Sequence, residues 1–172
     1  HHQDVYVQLP QTWQATEVIR TALRLIEPSA ESRCHYLKTG RLPLSHFLRL
    51  ETLLKVPRNQ VSLFRRGKAN YMNAVIQPDE EFARLLGYYL SEGCVSQNGN
   101  TYKIIFTFAL HETEYVNDVV SGLKRLGLRP CVEKRASTIA VYATSWLFGY
   151  MLKDVWQCGS SASDKAFPAF VF

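Results

Sequence analysis

The chain has 172 residues with a formal net charge of +5, and 47% of them are apolar and 20% charged, the make-up of a globular protein rather than a disordered or collagen-like one. No apolar run approaches the ~18–20 residues needed to cross a bilayer, and the first residues lack the charged and apolar regions of a signal peptide. The expectation is therefore a soluble, intracellular protein of the cytoplasm, nucleoid or an organelle, with no membrane partner. The length suits one main domain with a smaller appendage, and the positive balance favours an anionic partner without choosing among DNA, RNA and acidic lipid.

Along the chain, apolar residues at Val18, Ile19, Ala22, Leu23 and Ile26 recur at helical spacing within residues 13–27, and Pro28 ends the run. A second helix is expected from Pro43 through Leu44, Phe47, Leu48, Leu50, Leu53 and Leu54, closing near Val56-Pro57, and a third, shorter one from Arg58 to Phe64. Between Arg33 and Lys68 stand nine basic residues, ending in Arg65-Arg66-Gly67-Lys68, against the single acid Glu51. Helix, Pro-containing turn, helix and a basic run are compatible with a helix-turn-helix-like DNA module, although helical hairpins of other function share the pattern. Residues 1–77 are thus expected to form a small helical, basic subdomain, with Arg65, Arg66 and Lys68 as its candidate phosphate contacts. A solvated helical face is the competing reading.

Met72 to Gln77 reads as a short strand or linker. Pro78-Asp79-Glu80-Glu81 then opens a helix that Asp79 caps and whose first-turn acids suit the dipole; it runs through Phe82 to Glu92 and stops at Gly93. A strand from Thr101 to Phe108, a helix from Glu112 to Leu126 capped by Gly127, a hairpin of Cys131–Arg135 and Thr138–Thr144, and a last helix from Ser145 to Trp156 complete the order. The cysteines at 34, 94, 131 and 158 form no close pair, so they read as free thiols rather than zinc ligands.

Leu85-Leu86-Gly87-Tyr88-Tyr89-Leu90-Ser91-Glu92-Gly93 resembles the LAGLIDADG motif, particularly the form found in archaeal intron-encoded and intein-borne homing endonucleases. Ala162-Ser163-Asp164-Lys165-Ala166-Phe167-Pro168 is similar to that family's S-x-K-x-I-P segment. The resemblance covers residues 78–172 and implies an α+β fold of order α-β-β-α-β-β-α, built on an antiparallel saddle-shaped sheet, preceded here by the N-terminal subdomain. It also implies a site-specific, metal-dependent double-strand DNA endonuclease, or the first half of one.

In that family the motif helices of two repeats pack together, and small residues let the backbones approach. Gly87 and Ser91, four apart and on one helix face, are the contact implied here, either with a second copy in a homodimer or with a missing second repeat. Glu92 is implied as the acid that, with the Gly93 backbone, holds Mg2+ or Mn2+, hard cations that prefer oxygen ligands. Lys165 is implied as the basic catalytic residue. An acid in a last helical turn opposes the helix dipole, so Glu92 asks for a compensating cation; its bland alternative is a solvated carboxylate.

Alternation in the strand from Thr101 puts Tyr102, Ile104, Phe106 and Phe108 on one face, leaving Lys103 and Thr107 on the other. Lys103, Thr107, Lys134, Arg135 and Tyr142 are the candidate DNA contacts of a sheet lying in a major groove. The chain ends after Phe167-Pro168-Ala169-Phe170-Val171-Phe172 without a second motif, so it is expected either to dimerise or to be part of a longer protein. A non-cleaving nucleic-acid binder of the same fold, an intron maturase or a WhiA-like transcription regulator, is the alternative function.

Overall fold

A computed structural model describes residues 4–67 and 70–168; Lys68, among the expected phosphate contacts, lies outside the described residues. The chain is α+β, with two antiparallel sheets and six α-helices among the described residues, and it divides into the units His1–Val75 and Ile76–Phe172.

The first unit holds strand β1 (Val5–Gln8), helices α1 (Glu17–Ile26) and α2 (Ala30–Thr39), strand β2 (Arg41–Pro43), helix α3 (Leu44–Leu54) and strands β3 (Ser62–Arg65) and β4 (Met72–Asn73). Thr16 and Ser29 cap α1 and α2 by accepting the amides of Ile19 and Ser32, satisfying donors that a helix start leaves unpaired. The strands lie in the order β2-β1-β3-β4. Val7, Leu9, Leu42 and Val61 pack with Ile19, Leu23, Tyr36, Phe47, Leu50 and Leu54 into one core.

This corrects the expectation of a helical subdomain over residues 1–77. The stretch Arg58 to Phe64, expected as a helix, makes one 3-10 turn at Arg58–Gln60 after Pro57 and then enters β3. There Ser62–Arg65 pairs with Val5–Gln8, some fifty residues earlier in the chain, and that pairing overrides the local helical spacing. The basic run at Arg65 and Arg66 consequently follows a strand rather than a recognition helix. Helix α2 is hard to see in the sequence because it buries only Tyr36, leaving no apolar stripe to mark it; Ser29 and Gly40 at its ends are the available signals.

The second unit has helix α4 (Glu80–Glu92), strands β5 (Gly93–Asn98) and β6 (Thr101–Ala109), helix α5 (Thr113–Arg125), strands β7 (Cys131–Lys134) and β8 (Thr138–Thr144), and helix α6 (Trp146–Tyr150), which continues as a widened π-helical turn over Met151–Val155. Its sheet has the order β5-β6-β8-β7. Asp79 caps α4 by accepting the Phe82 amide at 3.1 Å and also pairs with Arg125, which reaches Glu81 as well. Strand β5 is invisible to pattern reading because Gly93, Ser96 and Asn98 are poor strand formers; its six residues are held by register pairing with β6 from Gly93↔Phe106 to Asn98↔Thr101.

Ile104, Phe106, Phe108, Val141 and Ala143 are buried on the face that carries the helices. Helix α6 approaches this layer so closely that a Cβ at Gly149 would lie 2.3 Å from the Tyr102 Cβ and 2.5 Å from its Cγ. Gly149→Ala is expected to destabilise the protein by ~1–3 kcal/mol through overpacking, read as a lower denaturant midpoint at unchanged slope.

Candidate functional site

Helix α4 runs straight into β5 without a connecting loop, and this junction creates the site. A Cβ at Gly93 would sit 2.6 Å from the Tyr89 carbonyl oxygen, so only glycine lets the chain leave the helix and enter the sheet in one step. Glu92, the last residue of α4, is therefore carried to the first residues of β5, on the exposed surface. No basic residue occupies the last turn of α4, and among the described residues Glu92 makes no ion pair.

A second segment converges on the same place. The Val95 amide donates to the Ser160 carbonyl at 2.9 Å, and the buried Tyr89 hydroxyl donates to the Gly159 carbonyl at 2.6 Å. Gly159 takes a φ of +80°, and a Cβ there would meet the Asp164 carbonyl oxygen at 2.3 Å. Asp164 closes the loop by accepting from the amides of Ser160, at 3.0 Å, and Ser161, at 2.7 Å, and from both hydroxyls. These bonds, led by the Ser161 and Ser160 amides, draw its carboxyl down to about 2.

The next residue, Lys165, is half-buried, with Nζ 5.6 Å from the centroid of the Tyr89 ring. Burial lowers its proton affinity below that of an ordinary lysine, while Cys94, Glu92 and Asp164 act in the opposite direction. The structure thus brings Glu92 and Lys165, 73 positions apart in sequence, into one electrostatic neighbourhood. Cys94, Tyr89 and Asp164 belong to it too and were not singled out in the sequence; the capping pattern Ser160-Ser161-x-x-Asp164 was the readable trace of the last.

Because Asp164 titrates lower folded than its usual 3.8, the loop stabilisation it provides is fully present above that value and is lost as pH falls through about 2. Asp164→Asn is expected to lower the melting temperature at neutral pH and to converge with the parent protein toward pH 2, as followed by thermal unfolding. Equal melting temperatures at neutral pH would refute the loop's dependence on this carboxylate.

On the outer face of the sheet, register lines up Cys94, Ile105, Tyr142 and Cys131 across all four strands, with Lys103 opposite Thr144 and Thr107 opposite Ala140. Lys103 Nζ lies 3.7 Å from the Tyr142 ring centroid, a cation–π contact. Arg135, at the turn after β7, holds Glu133 at 3.0 Å. Lys134 is a correction. It pairs with Ile139, and antiparallel partners share a face, so it belongs to the helix-bearing side and not with Lys103, Thr107 and Tyr142.

Gly87 and Ser91 both lie on the exposed face of α4. Nothing stands within 4 Å of a Cβ placed on Gly87, and the Ser91 hydroxyl folds back to donate to the Gly87 carbonyl at 3.2 Å. Two small residues are therefore uncovered on this face of α4. Among the described residues no three His, Cys, Asp or Glu side chains come together as a metal cage. In the first unit, Arg65 approaches Asp4 at 3.8 Å and Arg66 lies 6.0 Å from the Tyr6 ring centroid.

Among the described residues no helix is long and apolar enough to cross a membrane. No family model and no solved structure matches the chain. It is 30% identical over 141 residues, 78% of its length, to an uncharacterized protein of Methanocaldococcus jannaschii. It is 28% identical over 155 residues, 87% of its length, to the DNA polymerase II large subunit of Thermococcus kodakarensis. A stretch of 46 residues, 27% of the chain, is 48% identical to an iron–sulfur cluster assembly SufBD family protein of Mycobacterium tuberculosis. The chain spans 16%, 8% and 5% of these three relatives.

Proposed function

We propose that the second unit is a LAGLIDADG endonuclease repeat that hydrolyses double-stranded DNA with Mg2+ or Mn2+, acting with a second repeat or a second copy of the chain. The observation that carries this reading is the convergence of Glu92 and Lys165 at the junction where α4 enters the sheet, on a helix whose neighbouring face is small and uncovered. The order α-β-β-α-β-β-α and the polar outer face of the sheet agree with it.

On this reading Glu92 and the Gly93 carbonyl would hold the cation, whose chemistry when bound would be to activate water and neutralise phosphate charge. Glu92 places that charge at the end of the motif helix, where its partner's Glu92 or equivalent acid faces the opposite strand. Lys165, kept close by the Asp164 loop, holds a proton at Nζ beside the reacting phosphate and stabilises the charge that develops there. Lys103, Thr107, Tyr142 and Arg135 contact the DNA across the outer sheet face, and Arg65 and Arg66 are further phosphate contacts from the first unit. The test is strand cleavage of a pooled duplex library with Mg2+ against a chelator control. Binding without cleavage would favour the non-cleaving binder of the same fold.

A further inference from the structure

The first unit carries a groove of about 480 Å3 between α2 and the outer face of its sheet. One wall is formed by Tyr6, Arg41, Phe64 and Arg66, the other by residues of α2 that include Glu31 and His35. Tyr6 and Phe64 are adjacent in register and their rings lie 5.8 Å apart, with Tyr71 continuing the aromatic row 5.1 Å beyond Phe64.

Two guanidiniums sit on these rings, Arg41 at 5.7 Å from the Phe64 centroid and Arg66 at 6.0 Å from that of Tyr6. Arg41 is also fixed in the plane: its Nε donates to the Gln8 Oε1 at 3.0 Å and its Nη2 to the Tyr71 hydroxyl at 2.9 Å. Neither arginine forms an ion pair among the described residues, whereas Arg58, Arg84, Arg125 and Arg135 all do. A guanidinium held by neutral acceptors and a ring face with N–H groups left over, as Arg41 is, is organised to receive an anion with little loss of side-chain freedom, and Arg66 over the adjoining Tyr6 ring adds a second positive charge to the groove.

An anion alone would not require the aromatic row. Rings beside fixed guanidiniums on an antiparallel sheet match an unstacked base with its phosphate, the way sheets bind single strands. A duplex, whose bases are stacked inside, presents no ring face to such a groove. We propose that this groove binds an unpaired nucleotide of a single-stranded DNA segment, its phosphate on Arg41 and Arg66 and its base against Tyr6 and the adjoining aromatic row. The choice of DNA as the polymer rests on the endonuclease reading; the geometry of the groove does not.

The experiment is fluorescence anisotropy with a 12-residue oligothymidylate and, separately, a fully paired duplex, at one fixed salt concentration. Arg41→Gln and Arg66→Gln are each expected to weaken oligothymidylate binding by about tenfold, and Tyr6→Leu by about fivefold or more through lost stacking. Duplex binding should change by less than about threefold in Arg41→Gln and Tyr6→Leu, which lie outside the proposed duplex contacts; Arg66→Gln is read on the single strand alone. Tyr71→Phe, which keeps the ring and removes only the hydroxyl that orients Arg41, should give an intermediate loss while leaving the fold intact by circular dichroism. Unchanged oligothymidylate binding in Arg41→Gln and Arg66→Gln would overturn the proposal, and so would equal losses for duplex and single strand in Arg41→Gln. Cleavage by Glu92 variants is read independently, so a failed endonuclease reading and a failed groove give different patterns.

Discussion

Glu92→Gln is expected to abolish Mg2+-dependent cleavage, by about 10²–10³-fold or more, while DNA binding is kept or strengthened. Glutamine preserves the volume and the helix, so the change removes one negative charge and little else. In the structure Glu92 is exposed at the end of α4 with no ion pair among the described residues; no internal bond is lost with it. A stability role for this carboxylate would appear as a lower melting temperature in the variant, whereas the helix dipole alone disfavours an acid at a helix C-terminus by several tenths of a kcal/mol, so that its neutralisation leaves the helix as stable or more so. Reduced cleavage with an unchanged or higher melting temperature therefore marks a ligand role. A Glu92→Gln protein that cuts as fast as the parent would remove the assignment.

Gly87→Leu is expected to raise the stability of the separate chain slightly and to destroy its pairing. Nothing lies within 4 Å of the new Cβ, and exchanging glycine for leucine inside a helix gains up to ~1 kcal/mol in helix propensity. Across a close helix pair the same side chain must be accommodated twice, at ~1–3 kcal/mol each, which weakens association by about 30- to 10⁴-fold. Sedimentation equilibrium with and without DNA separates the two effects. Where the partner is a second repeat of a longer chain, the loss appears as lost cleavage by that chain instead. Pairing that survives Gly87→Leu would place the contact elsewhere on α4.

The second unit was the more legible half because its helices and its inner strand keep regular periods: Phe82, Leu85, Leu86 and Tyr89 mark α4, and alternation along Thr101–Ala109 marks β6. Glu92 could be placed from the motif, but its proximity to Lys165 depends on Tyr89, Gly159 and Asp164, bonds between segments distant in sequence. Lys134 was misassigned because a strand two residues from a turn has its facing set by register, and register follows pairing partners that a single strand does not reveal. The helices α1 and α3 of the first unit are legible from their apolar spacing, but its strands are not, for the same kind of reason. Its strands are only two to four residues long, too short to display a period of two, and they exist because they pair across the whole unit. The groove at Arg41 and Arg66 arises from that pairing.

The most direct test of the central claim is to incubate the protein with a randomised duplex library and Mg2+, then sequence every newly formed DNA end on both strands. A single preferred sequence is expected, cut on both strands at one fixed stagger, with ends that vanish under chelator and in the Glu92→Gln protein. Ends no more frequent than in the chelator control, from protein that binds the same library, would contradict it.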